Sequence, residues 1–185
     1  MKEICLHGRG GQGTVIMAGQ LVNCLALSGF YASSIPMFGF ERRGTPVEAY
    51  IRMDDAPIRE KTKIYEPDCV VVMDPTLLVA VDVFAGMKSG GLLVINHKGA
   101  PADLVLPPSV KTVAMVDANP IATALLGAPI TNTCMMGAFA SATGWITLES
   151  ILEGLETDFS DEKLEKNRKA AAAGFSACTV YPIKA

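Results

Sequence analysis

Apolar positions along this chain recur with two alternating periods. Glu3 to His7 is a short apolar run that stops at Gly8, which predicts a buried first strand. From Gln12 to Ser28 the residues Val15, Ile16, Ala18, Leu21, Val22, Leu25 and Ala26 repeat at three and four, the pattern of an amphipathic helix closed by Ser28-Gly29. Phe30 to Pro36 is the next extended segment. Residues 37–46, rich in glycine and charge, carry neither period and predict a loop. Val47 to Met53 alternates as a strand does, Asp54-Asp55 supplies a turn, and Ile58 to Tyr65 is more polar. Cys69 to Met73 is continuously apolar, as in a strand covered on both faces, and is placed centrally in a parallel sheet. Asp74-Pro75-Thr76 opens a helix over Leu77 to Phe84. Leu92 to Asn96 and Val110 to Val116 read as strands, and Asp117 to Pro120 starts a helix through Leu126. After the break at Gly127-Ala128-Pro129, a helix of small residues is predicted from Cys134 to Thr143, then helical stretches from Glu149 to Leu155 and Asp161 to Ala173. The alternation predicts one α/β domain over residues 1–185: a doubly wound, mainly parallel sheet with a glycine-rich loop after the first strand.

Charge and composition narrow the function classes. Lys plus Arg number 16 against 19 Asp plus Glu, with no clustered cationic face, so a nucleic-acid surface is not expected. Apolar runs break within ten residues, whereas a membrane-spanning helix needs roughly 20. Glu3 sits where a signal peptide would begin its apolar core, which points to a cytoplasmic protein. Charged residues are 19% of the chain, against about 25% in an ordinary soluble domain. Mean hydropathy is +0.32. An apolar excess without a membrane signal predicts surface covered by partner subunits: one sheet edge with its loops, and the small-residue helix from Cys134 to Thr143. Cys5, Cys24, Cys69, Cys134 and Cys178 stand singly, without metal or cluster spacing, and read as small buried hydrophobes. His7 and His97 end two strand-like runs and receive no catalytic role. The charge run from Asp158 to Lys169 reads as a solvated helix face.

Gly8-Arg9-Gly10-Gly11-Gln12-Gly13-Thr14 lies between the first strand and the first helix and matches G-x-G-x-x-G. Glycines there let the backbone turn tightly and approach a ligand, and free N–H groups at a helix start favour an anion. A dinucleotide site also needs an acid at the tip of the second strand, but the first acid after that strand is Glu41, inside a loop. A P-loop needs a lysine where Thr14 stands. What remains is a phosphate or pyrophosphate cradle carrying Arg9 and Gln12, or a tight turn whose glycines serve packing alone. Glu41, Arg42 and Arg43, on glycine hinges after the second strand, either clamp an anion or another subunit, or form a solvated loop. Asn132 is the third candidate, a ligand contact or a helix cap.

The set formed by residues 8–13, 39–44, Val71 to Pro75 and Asn132 to Gly137 resembles the gamma subunit of 2-oxoacid:ferredoxin oxidoreductases, in order and over nearly the whole chain. The resemblance implies a place in a complex that cleaves a 2-oxoacid with thiamine diphosphate, passes electrons through iron–sulfur clusters to ferredoxin or another acceptor, and forms an acyl-coenzyme A. It implies that thiamine and clusters lie on partner subunits, while the gamma chain closes over the active site and helps hold coenzyme A, with no catalytic residue or metal of its own. Carried over, Gly8, Arg9, Gly10, Gly11, Gln12, Gly13 and Thr14 would face the coenzyme A phosphates. Glu41, Arg42 and Arg43 would face the neighbouring subunit or the coenzyme. The chain departs from the family's pattern at Phe40 and Thr45. Two other readings of the residues stand beside this one: a stand-alone nucleotide-binding or regulatory module, and a purely scaffolding subunit.

Overall fold

Alternation along the first strand divides the core in two. In β1 (Lys2–Arg9), Ile4 and Leu6 point to one face of the sheet and Cys5 and His7 to the other. The structure, a computed structural model, describes residues 1–37 and 44–183. After β1 come α1 (Thr14–Leu27), β2 (Tyr31–Met37), β3 (Pro46–Asp54), β4 (Cys69–Val72), α2 (Leu77–Ala80), β5 (Gly91–Asn96) and β6 (Val110–Val116). The chain continues through α3 (Ala118–Leu126), α4 (Asn132–Thr143), α5 (Leu148–Gly154), α6 (Asp161–Ala177) and β7 (Thr179–Pro182).

The sheet order is β2-β3-β1-β4-β5-β6-β7. β1, β4, β5 and β6 pair in parallel. β3 is antiparallel to both β1 and β2, and β7 is antiparallel to β6, so five of these seven strands run the same way. This is the mainly parallel α/β sheet the alternation predicts. Because β3 starts at Pro46 opposite Arg9, the segment entering it joins the carboxyl ends of β1 and β4 at one edge.

On one face, Ile4, Leu6, Ile51 and Val71 pack under Met17, Leu21 and Leu25 of α1, Met135 and Phe139 of α4, and Ile151 of α5. On the other, Cys5, Val70, Val72 and Ile95 are covered by Leu77 of α2 and by Ile64, Val83 and Met87 from irregular segments. The longer helices therefore gather on the first face. The helix expected from Leu77 to Phe84 is a single turn: the Asp82 carboxylate accepts a hydrogen bond from the Phe84 N–H at 3.2 Å, a local turn that competes with helix. β7 escapes the periodicity because four residues ending in a proline on an exposed sheet edge carry too few buried positions.

The expectation that partner subunits cover the small-residue helix is overturned. Asn132 to Ala140 are all buried inside this chain, between α6 and the sheet. A Cβ on Gly137 would lie 1.9 Å from the Ala171 carbonyl oxygen, and one on Gly174 2.0 Å from that of Cys134. The small side chains serve contact between α4 and α6, nearly backbone to backbone. Cys5, Cys24, Cys69 and Cys134 are buried and Cys178 is half-buried. Burial pushes the thiols of Cys5 and Cys134 up to about 12 and those of Cys24 and Cys178 to about 11, so none of these four is a thiolate near neutral pH.

Candidate functional site

The glycine loop leaves β1 at the carboxyl edge of the sheet and turns directly into α1. Gly11 and Gly13 adopt left-handed backbone conformations, with φ of 92° and 82°, which glycine enters without a steric penalty. Gly8 is required for a different reason: a Cβ there would meet the Thr14 hydroxyl oxygen at 2.0 Å. Among the described residues no side chain caps the start of α1, and its first turn holds no acid, so the positive end of the helix faces the loop.

Two further segments fix the loop. The Gly10 N–H donates to the Thr45 carbonyl at 2.8 Å, and the Gly44 N–H donates to the Gly10 carbonyl at 3.1 Å. Gln12 accepts from the Arg9 N–H at 2.7 Å and donates through Nε2 to Asp74 Oδ2 at 2.9 Å. The Arg9 guanidinium lies 3.2 Å from Asp74 Oδ2 and donates to Thr76 Oγ1 and the Gly44 carbonyl. Burial alone would raise the Asp74 carboxyl. Hydrogen bonds from Thr76 and Gln12, together with the Arg9 charge, hold it below the usual carboxylate range. Arg9 and Gln12, expected as ligand groups, act in this structure as braces of the loop.

Asp74 and Thr76 were not foreseen as part of this site. The available signal was their position: Asp74-Pro75-Thr76 directly follows the continuously apolar β4, and the carboxyl ends of parallel strands are where ligands gather. Asn132 opens α4 and is buried. Thr131 occupies the N-cap position, so capping is not the role of Asn132. Its amide group lies 3.4 Å from where a Cβ on Gly13 would be, close against the glycine loop. Glu41, Arg42 and Arg43 lie outside the described residues.

Around the loop is a cavity of about 310 Å³ lined by Arg9, Gly10, Gly11, Gly13, Thr14, Val15, Ile16, Val47, Ile130 and Asn132. Thr14 is 2% exposed, and its hydroxyl has no hydrogen-bond partner among the described residues. A buried, unpaired hydroxyl costs about 1–3 kcal/mol, which a ligand oxygen at this place would recover. Main-chain N–H groups at an uncapped helix start, one spare hydroxyl and glycines that keep Cβ atoms away fit an anionic phosphate group. His7, one residue before the glycine loop, is buried on the opposite sheet face. Burial lowers its basicity against the pull of Glu48, so it is a neutral core group apart from this cavity.

Comparison with known proteins agrees with this fold. The family model described as pyruvate ferredoxin/flavodoxin oxidoreductase matches residues 3–177. The chain is 48% identical over 185 residues to the gamma subunit of NADH-dependent phenylglyoxylate dehydrogenase from Aromatoleum evansii, covering 100% of this chain and 97% of that one. It is also 48% identical to the common gamma subunit of pyruvate/ketoisovalerate oxidoreductases from Thermococcus litoralis, covering 99% of this chain and 100% of that one. The crystal structure of the pyruvate oxidoreductase subunit PORC from Thermotoga maritima superposes with a TM-score of 0.85 at 29% identity, over 97% of each chain. The fold recurs over 30% of the 2-oxoglutarate:ferredoxin oxidoreductase from Magnetococcus marinus, with a TM-score of 0.77 at 18% identity over 95% of this chain. The sequence motifs, the fold and these matches converge: the chain belongs to the pyruvate ferredoxin/flavodoxin oxidoreductase family and corresponds over its whole length to that family's gamma chains.

Proposed function

We propose that this gamma subunit binds the phosphates of coenzyme A in its glycine loop and closes over the active site of a multisubunit 2-oxoacid oxidoreductase. The complex oxidatively decarboxylates a 2-oxoacid to an acyl-coenzyme A and passes the electrons to an acceptor. Thiamine diphosphate and iron–sulfur clusters belong to the partner subunits. Among the described residues of this chain, no group of three or more His, Cys, Asp or Glu is placed to hold a metal ion. None of its described helices is long and apolar enough to cross a membrane, and the complex is assigned to the cytoplasm.

The observation that carries the reading is the buried Thr14 hydroxyl, without a partner among the described residues, at the start of α1. A turn built for packing alone would leave that polar group unsatisfied for nothing. Gly8 to Thr14 and Asn132 form the phosphate site, with Arg9 supplying positive charge and bracing the turn. Glu41, Arg42 and Arg43 are assigned to the contact with the coenzyme or the neighbouring subunit.

Thr14→Val in the reconstituted complex separates binding from packing. The two side chains have nearly the same shape, and the hydroxyl lost makes no bond among the described residues. The stability of the subunit should hold or rise, while the KM for coenzyme A should rise about tenfold, the equivalent of one charge-assisted hydrogen bond. An unchanged KM would make the loop a structural turn.

A further inference from the structure

Arg9, Gln12, Asp74 and Thr76 close into a ring whose donors and acceptors have a single order. Arg9 donates from both of its ends: its main-chain N–H to Gln12 Oε1 at 2.7 Å, and its guanidinium Nη2 to Thr76 Oγ1 at 2.7 Å. Gln12 and Thr76 each pass a hydrogen on to Asp74, Gln12 Nε2 to Oδ2 at 2.9 Å and Thr76 Oγ1 to Oδ1 at 2.6 Å. The Thr76 N–H is a second donor to Oδ1 at 3.0 Å, and Arg9 Nε lies 3.2 Å from Oδ2. Arg9 is thus a donor on both sides and Asp74 an acceptor on both, with Gln12 and Thr76 as relays between them. The Gln12–Asp74 and Arg9–Thr76 links cross from the glycine loop to the turn after β4, spanning 62 and 67 positions of sequence.

Resting on the glycine-loop reading, we infer that Asp74 and Thr76 are positioning residues for coenzyme binding, and that the ring they close with Arg9 and Gln12 holds the loop as one unit. Neither residue lines the phosphate cavity, so both act through the loop and not by touching the ligand. Between Arg9 and Thr14, Gln12 alone carries a side chain, and glycine leaves the backbone on either side of it free to turn. Main-chain bonds tie Gly10 to Gly44 and Thr45 on the β3 side, and the ring ties the loop on the β4 side. Its polarity admits no neutral substitute for Asp74. Gln12 cannot turn its amide round, because the Arg9 N–H already engages its oxygen, so its NH2 must meet an acceptor. An asparagine at position 74 would set its own NH2 against Gln12 and Arg9 on one side, or against the two Thr76 donors on the other. A polar network that loses one member leaves the others unpaired, so a break at either relay releases the same loop.

The test is a double-mutant cycle in the reconstituted complex on Gln12 and Thr76, which bond to Arg9 and Asp74 and not, among the described residues, to each other. Thr76→Val keeps the shape of the side chain and removes its relay, and Gln12→Met keeps the length and removes both bonds. Each should raise the KM for coenzyme A about tenfold and leave the KM for the 2-oxoacid, bound by the thiamine-bearing partners, within about twofold. The double variant should stay within about threefold of the worse single variant, whereas independent contacts would multiply to about a hundredfold. Asp74→Asn should match the single variants. Thr76→Ser keeps the hydroxyl and should stay within about twofold of the native KM. Thr76 is exposed, so the thermal midpoint of Thr76→Val should equal the native one, which separates positioning from folding. Single effects that multiply, a native KM in Asp74→Asn, or Thr76→Ser behaving as Thr76→Val would each overturn the inference. If neither relay variant raises the KM for coenzyme A while Thr14→Val does, the glycine-loop reading stands without the ring. If Thr14→Val leaves it unchanged as well, both fall.

Discussion

Gly137→Ala should destabilise the chain by about 3 kcal/mol, the upper range for overpacking a core that cannot relax. In an isolated helix the same change gains up to about 1 kcal/mol, because alanine loses less backbone entropy. Here the added methyl would sit 1.9 Å from the Ala171 carbonyl oxygen, and the obstructing atom is backbone of α6 rather than the end of a flexible side chain. Either the two helices separate, opening the core around Phe139, or α4 shifts and carries Asn132 away from the glycine loop. The check is the thermal midpoint of the purified chain, which should fall by roughly 6–12 °C for a domain of this size. Gly19→Ala is the control. It adds the same methyl to α1, where no described residue outside the helix's own backbone lies within 4 Å, and should leave the midpoint equal or slightly higher. Equal midpoints for the two variants would show that close contact between α4 and α6 is not what requires glycine.

Gly8→Ala should have the largest effect on function. Its methyl would lie 2.0 Å from the Thr14 hydroxyl oxygen, so it displaces that group, while the Gln12 amide oxygen at 3.4 Å stays in ordinary contact. Thr14 can turn its hydroxyl away or the first turn of α1 can shift, and each dismantles the cradle. A displacement of about 1 Å in a positioned binding group costs up to about a hundredfold. The KM for coenzyme A in the reconstituted complex should rise by at least about thirtyfold, more than for Thr14→Val, which removes one contact and leaves the backbone in place. A KM equal to that of the native complex would mean that the loop does not touch the coenzyme.

The strands of the central sheet were legible because burial on both faces leaves an unbroken apolar signature, as in Cys69 to Val72, and because turn residues bound each run. The glycine loop was legible because its geometry is local: it follows a strand, opens a helix and spans seven residues. What the sequence hid depends on contacts between distant segments. Asp74 and Thr76 join Arg9 across more than sixty positions, and their place after β4 marks the sheet edge they sit on but not the loop residue they bind. Cys134 to Thr143 showed small residues, which implies close approach to something. Whether that was a partner subunit or α6 is decided by where the chain returns, some thirty residues later. The helix after β4 failed for the opposite reason: Asp82 competes locally in a way the hydrophobic period does not register.

Hydrogen–deuterium exchange of the assembled complex, with and without coenzyme A, tests the central claim most directly, because the groups said to hold the phosphates are amide N–H groups. Exchange at residues 10–16 should slow markedly when coenzyme A is added, while β7 at the far edge of the sheet keeps its rate. Slowing confined to the partner subunits, with residues 10–16 unchanged, would contradict coenzyme binding by this chain.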